Sequence, residues 1–112
     1  MSVDQKQKFL QETVQVILDA TYAKEDFSLI DGFYVVLVEG GIVNDTRAGI
    51  LRGVFEIPKA SSAAAIARGD AIEYVAKNSV QKYAAGTKVG RAMMASASGT
   101  ETVLVELDPA YN

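Results

Sequence analysis

The sequence predicts a mainly β protein, a small antiparallel β-barrel or sandwich with one short helix and an N-terminal arm. Three observations predict it. Apolar and polar residues alternate with period two in several short segments, most clearly in Thr102-Val103-Leu104-Val105-Glu106-Leu107. Turns, most of them marked by glycine, separate these segments at spacings of roughly 8 to 12 residues, the rhythm of sandwiches and small barrels. The run Gly53-Val54-Phe55-Glu56-Ile57-Pro58-Lys59-Ala60 is followed, after an alanine-rich stretch, by Gly69-Asp70-Ala71-Ile72-Glu73-Tyr74. It joins an alternating strand, a proline stop, a linker and a Gly-Asp turn that launches the next strand.

Residues 1–11 read as a polar arm and residues 12–112 as a single β domain. Val3, Phe9 and Leu10 are too few apolar residues to hold an isolated helix, so the arm is expected to order on contact. From Glu12 to Leu18 the period is two, with Val14, Val16 and Leu18 on one face. The polar stretch from Asp19 to Asp26 reads as a loop before the apolar run Phe33–Val38, a strand expected to be covered on both faces. Gly40-Gly41 suggests a tight turn. Ile50 to Ile57 reads as one strand with Leu51, Phe55 and Ile57 facing one way, Gly53 in its middle and Pro58 ending the ladder. Ser61 to Gly69 has a serine cap, helix-forming alanines, a cation near its end and a final glycine, the pattern of a two-turn helix. Strands follow at Ala71–Val75, Val80–Tyr83, Lys88–Ala95 and Thr102–Leu107, with turns at Lys77-Asn78 and Gly99-Thr100. No internal repeat stands out. The expected core anchors are Val14, Val16, Val36, Phe55, Ile57, Ile72, Val103 and Val105.

Composition narrows the function. At 112 residues the chain suits one modest core, and its net charge of −3 with eleven scattered Lys and Arg argues against nucleic acid as partner. The longest apolar run is far shorter than the ~20 residues of a membrane helix, and the polar start lacks a signal peptide's apolar core. A soluble protein made in a cytosol and without a membrane partner is expected. Without Cys or His there is no disulfide, no thiolate and no zinc centre of the usual kind, and no cofactor is expected.

Catalytic constellations are equally sparse. A Ser-His pair is impossible, and Ser61, Ser62, Ser96 and Ser98 fit caps and turns. The carboxylates Asp26, Asp31, Glu39, Asp45, Glu56, Asp70 and Glu73 fall at turns or on polar strand faces, where solvated surface groups are expected. Gly86-Thr87-Lys88-Val89-Gly90-Arg91 has a faint phosphate-loop look. It lacks the Walker spacing and opens no helix, so its amides are not expected to cradle an anion.

Four segments carry a resemblance: Gly53–Ala60, Arg68–Tyr74, Val89-Gly90-Arg91-Ala92 and Thr102–Leu107. Together they resemble the head decoration, or cement, proteins of tailed phages, over roughly nine tenths of the chain. Some members of that family carry the label of predicted phage recombinase. The resemblance implies a β-tulip-like fold, no enzymatic activity, a homotrimer and the major capsid protein as partner. It places the protein on the virion, at the capsid exterior, after assembly in the host cytoplasm. The arm residues Val3, Phe9 and Leu10 are the candidate capsid contacts. Two features depart from the family's common form, the polar leader before Glu12 and Glu73 where an aromatic is frequent. A virion neck or tail adaptor is the alternative. A recombination protein is opposed by the missing Walker A sequence and the missing parallel βαβ rhythm.

Overall fold

The computed structural model describes residues 13–60 and 65–111. A first antiparallel sheet is built from β1 (Thr13–Ile17), β2 (Phe27–Ile30), β3 (Phe33–Leu37) and β4 (Thr46–Ile50), in the order β1-β4-β3-β2. A second contains β5 (Gly53–Pro58), β6 (Ala71–Ala76), β7 (Ser79–Lys82), β8 (Lys88–Ala92) and β9 (Thr102–Leu107), in the order β5-β9-β8-β6-β7. The mainly β, antiparallel expectation stands. Neither sheet closes into a barrel among the described residues; a single bridge between Lys59 and Val80 links the edges of the second.

Alternation in the sequence becomes alternation in burial. On β9, Val103, Val105 and Leu107 are buried while Thr102, Leu104 and Glu106 are half-buried. The run at β3 is covered on both faces at Val35, Val36 and Leu37, while Phe33 and Val38 at its ends are exposed. Val36 joins Phe27, Ile57, Ile72, Val80, Val103 and Val105 in the core between the sheets. Val35 and Leu37 face the other way, into a smaller core with Val16, Leu18, Tyr22 and Ile30. Val14 packs at the edge of the smaller core and Phe55 at the edge of the larger one, both half-buried.

Four local expectations need correction. β2 falls in a stretch for which no strand was expected: Phe27, Ser28 and Ile30 are all buried, so the segment shows no two-faced pattern. The expected strand Ile50–Ile57 is two strands in different sheets. The chain crosses at Leu51-Arg52, and Gly53 begins β5 at φ 154°, a conformation that only glycine adopts without strain. Gly40 and Gly41 do not make a positive-φ turn. They serve close approach instead, since a Cβ on Gly40 would lie 2.5 Å from the Tyr22 carbonyl oxygen. The helix expected over Ser61–Gly69 lies partly outside the described residues, at 61–64, and from Ala65 onward there is none. Ile66 is buried in a bridge to Ser96, and Gly69, at φ 89°, is the third residue of a β-turn rather than a helix cap.

The two sheets are two versions of one unit. In the first, Tyr22 bridges Gly41, and each bridge residue leads into a turn, Ala23-Lys24-Glu25-Asp26 or Ile42-Val43-Asn44-Asp45. In the second, Ile66 bridges Ser96 and the turns are Ala67-Arg68-Gly69-Asp70 and Ala97-Ser98-Gly99-Thr100. In every turn the fourth N–H donates to the first carbonyl, and the third residue has positive φ, as in a type II turn. A strand follows each. The ladders correspond as well. Phe27 pairs with Val36 as Ala71 pairs with Arg91, and Leu37 donates to the Asp26 carbonyl as Ala92 donates to that of Asp70, both at 2.9 Å. Thus β1, β2, β3 and β4 match β5, β6, β8 and β9, and β7 is an added edge strand. The register between the last two strands of each unit differs by one residue.

Asn78 staples the units together. At φ 54° in the β6–β7 turn, its N–H donates to the Phe27 carbonyl at 2.7 Å, and its Oδ1 accepts from the Phe27 N–H at 2.8 Å. Its Nδ2 donates to Asp26 at 2.7 Å. Edge-to-face contacts of Tyr74 with Phe27 and Tyr34 lie beside it. Asn78→Ala is expected to lower stability by roughly 2–3 kcal/mol, because the half-buried Phe27 N–H and Asp26 carboxylate lose their partner. Urea unfolding read by tyrosine fluorescence checks this.

Candidate attachment surfaces

Most of the candidate carboxylates are tied to the chain's own backbone. Asp26, Asp45 and Asp70 each accept, at 2.8–2.9 Å, the N–H of the residue three positions earlier, which fixes a turn. Asp31 accepts the N–H of Ile17 at 3.2 Å and so joins the β2–β3 turn to the end of β1. No group of three or more His, Cys, Asp or Glu able to hold a metal ion occurs among the described residues.

Glu73 overturns one expectation. It is not a solvated carboxylate but is buried, on the strand β6. Its carboxylate is cradled by amides of the loop that ends at Gly86, of which only the Gly86 amide belongs to the Gly86–Arg91 segment. Its Oε1 accepts from the N–H groups of Ala84, Ala85 and Gly86 at 2.9, 3.1 and 2.7 Å, and its Oε2 accepts from the Gln81 side chain. The Ala84 N–H, the Gln81 amide and the Gly86 N–H lower its pKa to about 2 despite burial. Gly86 permits the closure, since a Cβ there would sit 3.1 Å from the carboxyl carbon. The loop before β8 is therefore filled by the chain's own charge.

What remains available is apolar surface. A cleft of about 540 Å³ opens between the units, walled by Val36, Val38, Ile50, Val54, Phe55 and Pro58, with Lys24, Glu25 and Glu56 as its charged lining. Thr13, the first described residue, pairs with Ile50 on that wall. A second apolar surface lies where β1 ends, at Ile17, Phe33, Ile42 and Val43. Of the candidate contacts expected from the sequence, Val3, Phe9 and Leu10 lie outside the described residues. The expected core anchors Val16, Val36, Ile57, Ile72, Val103 and Val105 are buried in the two cores and reach no exposed site. The corner residues carried no signal in the sequence, because Ile42-Val43 follows Gly40-Gly41 without alternation.

A compact pair of β units that presents apolar surface and spends its carboxylates on turns has the build of a structural binding module. The phage cement protein family matches residues 10–107, and the chain belongs to that family. The family is one of structural proteins, and membership points to capsid decoration. No curated protein and no solved structure matches the chain. No helix among the described residues is long and apolar enough to cross a membrane.

Proposed function

We propose that the protein is a non-enzymatic head decoration protein that binds the major capsid protein on the outer capsid surface and stabilises contacts between capsomers as a homotrimer. The family match carries this reading, and the exposed apolar surface supports it. Attachment at many symmetric sites lets modest interfaces add up, since each copy tied to a neighbour rebinds before it escapes. A trimer requires a heterologous interface that closes on itself. In this reading residues 1–11 act as an arm beside a single β domain, with Val3, Phe9 and Leu10 laid on the capsid.

Incubating purified protein with undecorated heads is expected to give stoichiometric binding and greater resistance of the heads to heat or chelators. Heads that take up none of it refute the reading. Removing residues 1–10 should weaken attachment and leave the unfolding midpoint unchanged; full occupancy by the truncated protein refutes the arm. A virion reconstruction with density only at the neck or tail would favour the adaptor instead.

A further inference from the structure

The end of β1 carries apolar side chains that the fold does not use. Ile42, Ile17, Val43 and Phe33 are 61, 53, 51 and 43% exposed. Hydrogen bonds hold the chain segments that carry them at one corner. Leu18 donates to the Asp45 carbonyl at 2.9 Å and accepts from the Asn44 N–H at 2.8 Å, which binds the chain beside Ile17 to the Ile42–Asp45 turn. The Asp31 carboxylate on the Ile17 N–H brings in the β2–β3 turn, two residues before Phe33.

The second unit is an internal control for what this geometry requires. Its matching turn is Ala97-Ser98-Gly99-Thr100, Lys88 opens β8 where Phe33 opens β3, and Lys59 stands beside Glu101 where Ile17 stands beside Thr46. The same backbone is thus made with small, polar or cationic residues. Neither the turn nor the ladder explains four exposed apolar side chains in the first unit, and exposed apolar side chains gathered around one corner mark a candidate interaction site. Its polar neighbours are already satisfied within the chain: Asp45 accepts from Ile42 and pairs with Arg47 at 3.3 Å, and Arg47 also donates to the Gly40 and Thr46 carbonyls. An apolar centre bordered by the internally paired Asp45 and Arg47 resembles the core of an interface with its polar rim.

We infer that the corner of Ile17, Phe33, Ile42 and Val43 is the docking surface for the outer face of the major capsid protein. This rests on the decoration function, because the capsid is the partner that family membership supplies.

The test uses heads and the full-length protein. Ile42→Ser with Val43→Ser is expected to weaken attachment roughly tenfold or more at unchanged unfolding midpoint, while Ala97→Ser in the matching turn does not. The chain has no cysteine, so Val43→Cys carries a single photo-crosslinker, and Ser98→Cys serves as its twin. Crosslinks from position 43 to the capsid protein, and none from position 98, are the expected result. Wild-type protein that binds heads while the double serine variant binds equally well overturns the corner and leaves the function standing. Crosslinks from position 43 only between copies of this chain overturn it too. Wild-type protein that binds no heads refutes the underlying reading instead. If the double variant loses stability, Phe33→Ser and the crosslinking pair decide the matter.

Discussion

Replacing Glu73 by alanine is expected to lower stability by about 3 kcal/mol at neutral pH, a large share of what a small domain possesses. The substitution leaves the N–H groups of Ala84, Ala85 and Gly86 and the Gln81 amide without their acceptor, and it releases the loop that leads into β8. Glutamine keeps the shape and one oxygen but not the charge, so Glu73→Gln should recover part of the loss. The acid limb separates charge from shape. The folded-state pKa, about 2, lies below the ordinary glutamate value of 4.5, so the contribution is fully present above the ordinary value and is lost as the pH falls toward 2. Urea midpoints measured from neutral pH down to about pH 3 should therefore fall more steeply for the wild type than for Glu73→Gln. Equal slopes would mean that the carboxylate is not held in this cradle.

Gly90→Ala is expected to be as damaging, about 3 kcal/mol or more, although it adds a single methyl group. Gly90 sits mid-strand on β8 between Ile72 of β6 and Leu107 of β9. A Cβ there would overlap the Glu106 carbonyl oxygen and lie 2.8 Å from its carbonyl carbon. Backbone cannot swing aside as a side chain can, so the β8–β9 ladder must part. Gly49→Ala meets a side chain instead, its Cβ lying 2.6 Å from the Val35 Cβ and 2.8 Å from both of its Cγ atoms, and Val35→Ala on the same chain, which removes the two Cγ contacts, should relieve part of the cost. No such rescue is available to Gly90. Thermal unfolding of the three variants distinguishes the two kinds of clash.

The sequence announced strands with a regular alternation or an unbroken apolar run and hid the one that has neither. Thr102–Leu107 and the segment around Val14 and Val16 could be read from alternation, whereas Phe27–Ile30 could not, because Ser28 is buried among apolar neighbours. The crossover at Leu51-Arg52 continues the alternation of the strands on both sides, so only Gly53 hinted that they belong to different sheets. The correspondence of the two units was invisible for a different reason. Its signature is turn geometry, which tolerates Glu25 and Asn44 in one unit and Gly69 and Gly99 in the other; Ala23 matches Ala67 and Asp26 matches Asp70, with little else. Glu73 was misread because its partners are amide groups, which every residue except proline possesses and no sequence pattern advertises. The exposed corner at Ile42-Val43 became noticeable only when its twin in the second unit supplied a comparison.

Because no ladder joins the two sheets, the order of synthesis can become the order of folding. All the pairings of the first sheet fall between Thr13 and Ile50, so its strands can close before β5 has left the ribosome, and the longest loops of an interleaved sandwich never have to form. That early unit leaves Phe27 and Val36 open to water until the second unit arrives. The last step is then a docking of two preformed halves, latched when the β6–β7 turn presents Asn78 to the edge of β2.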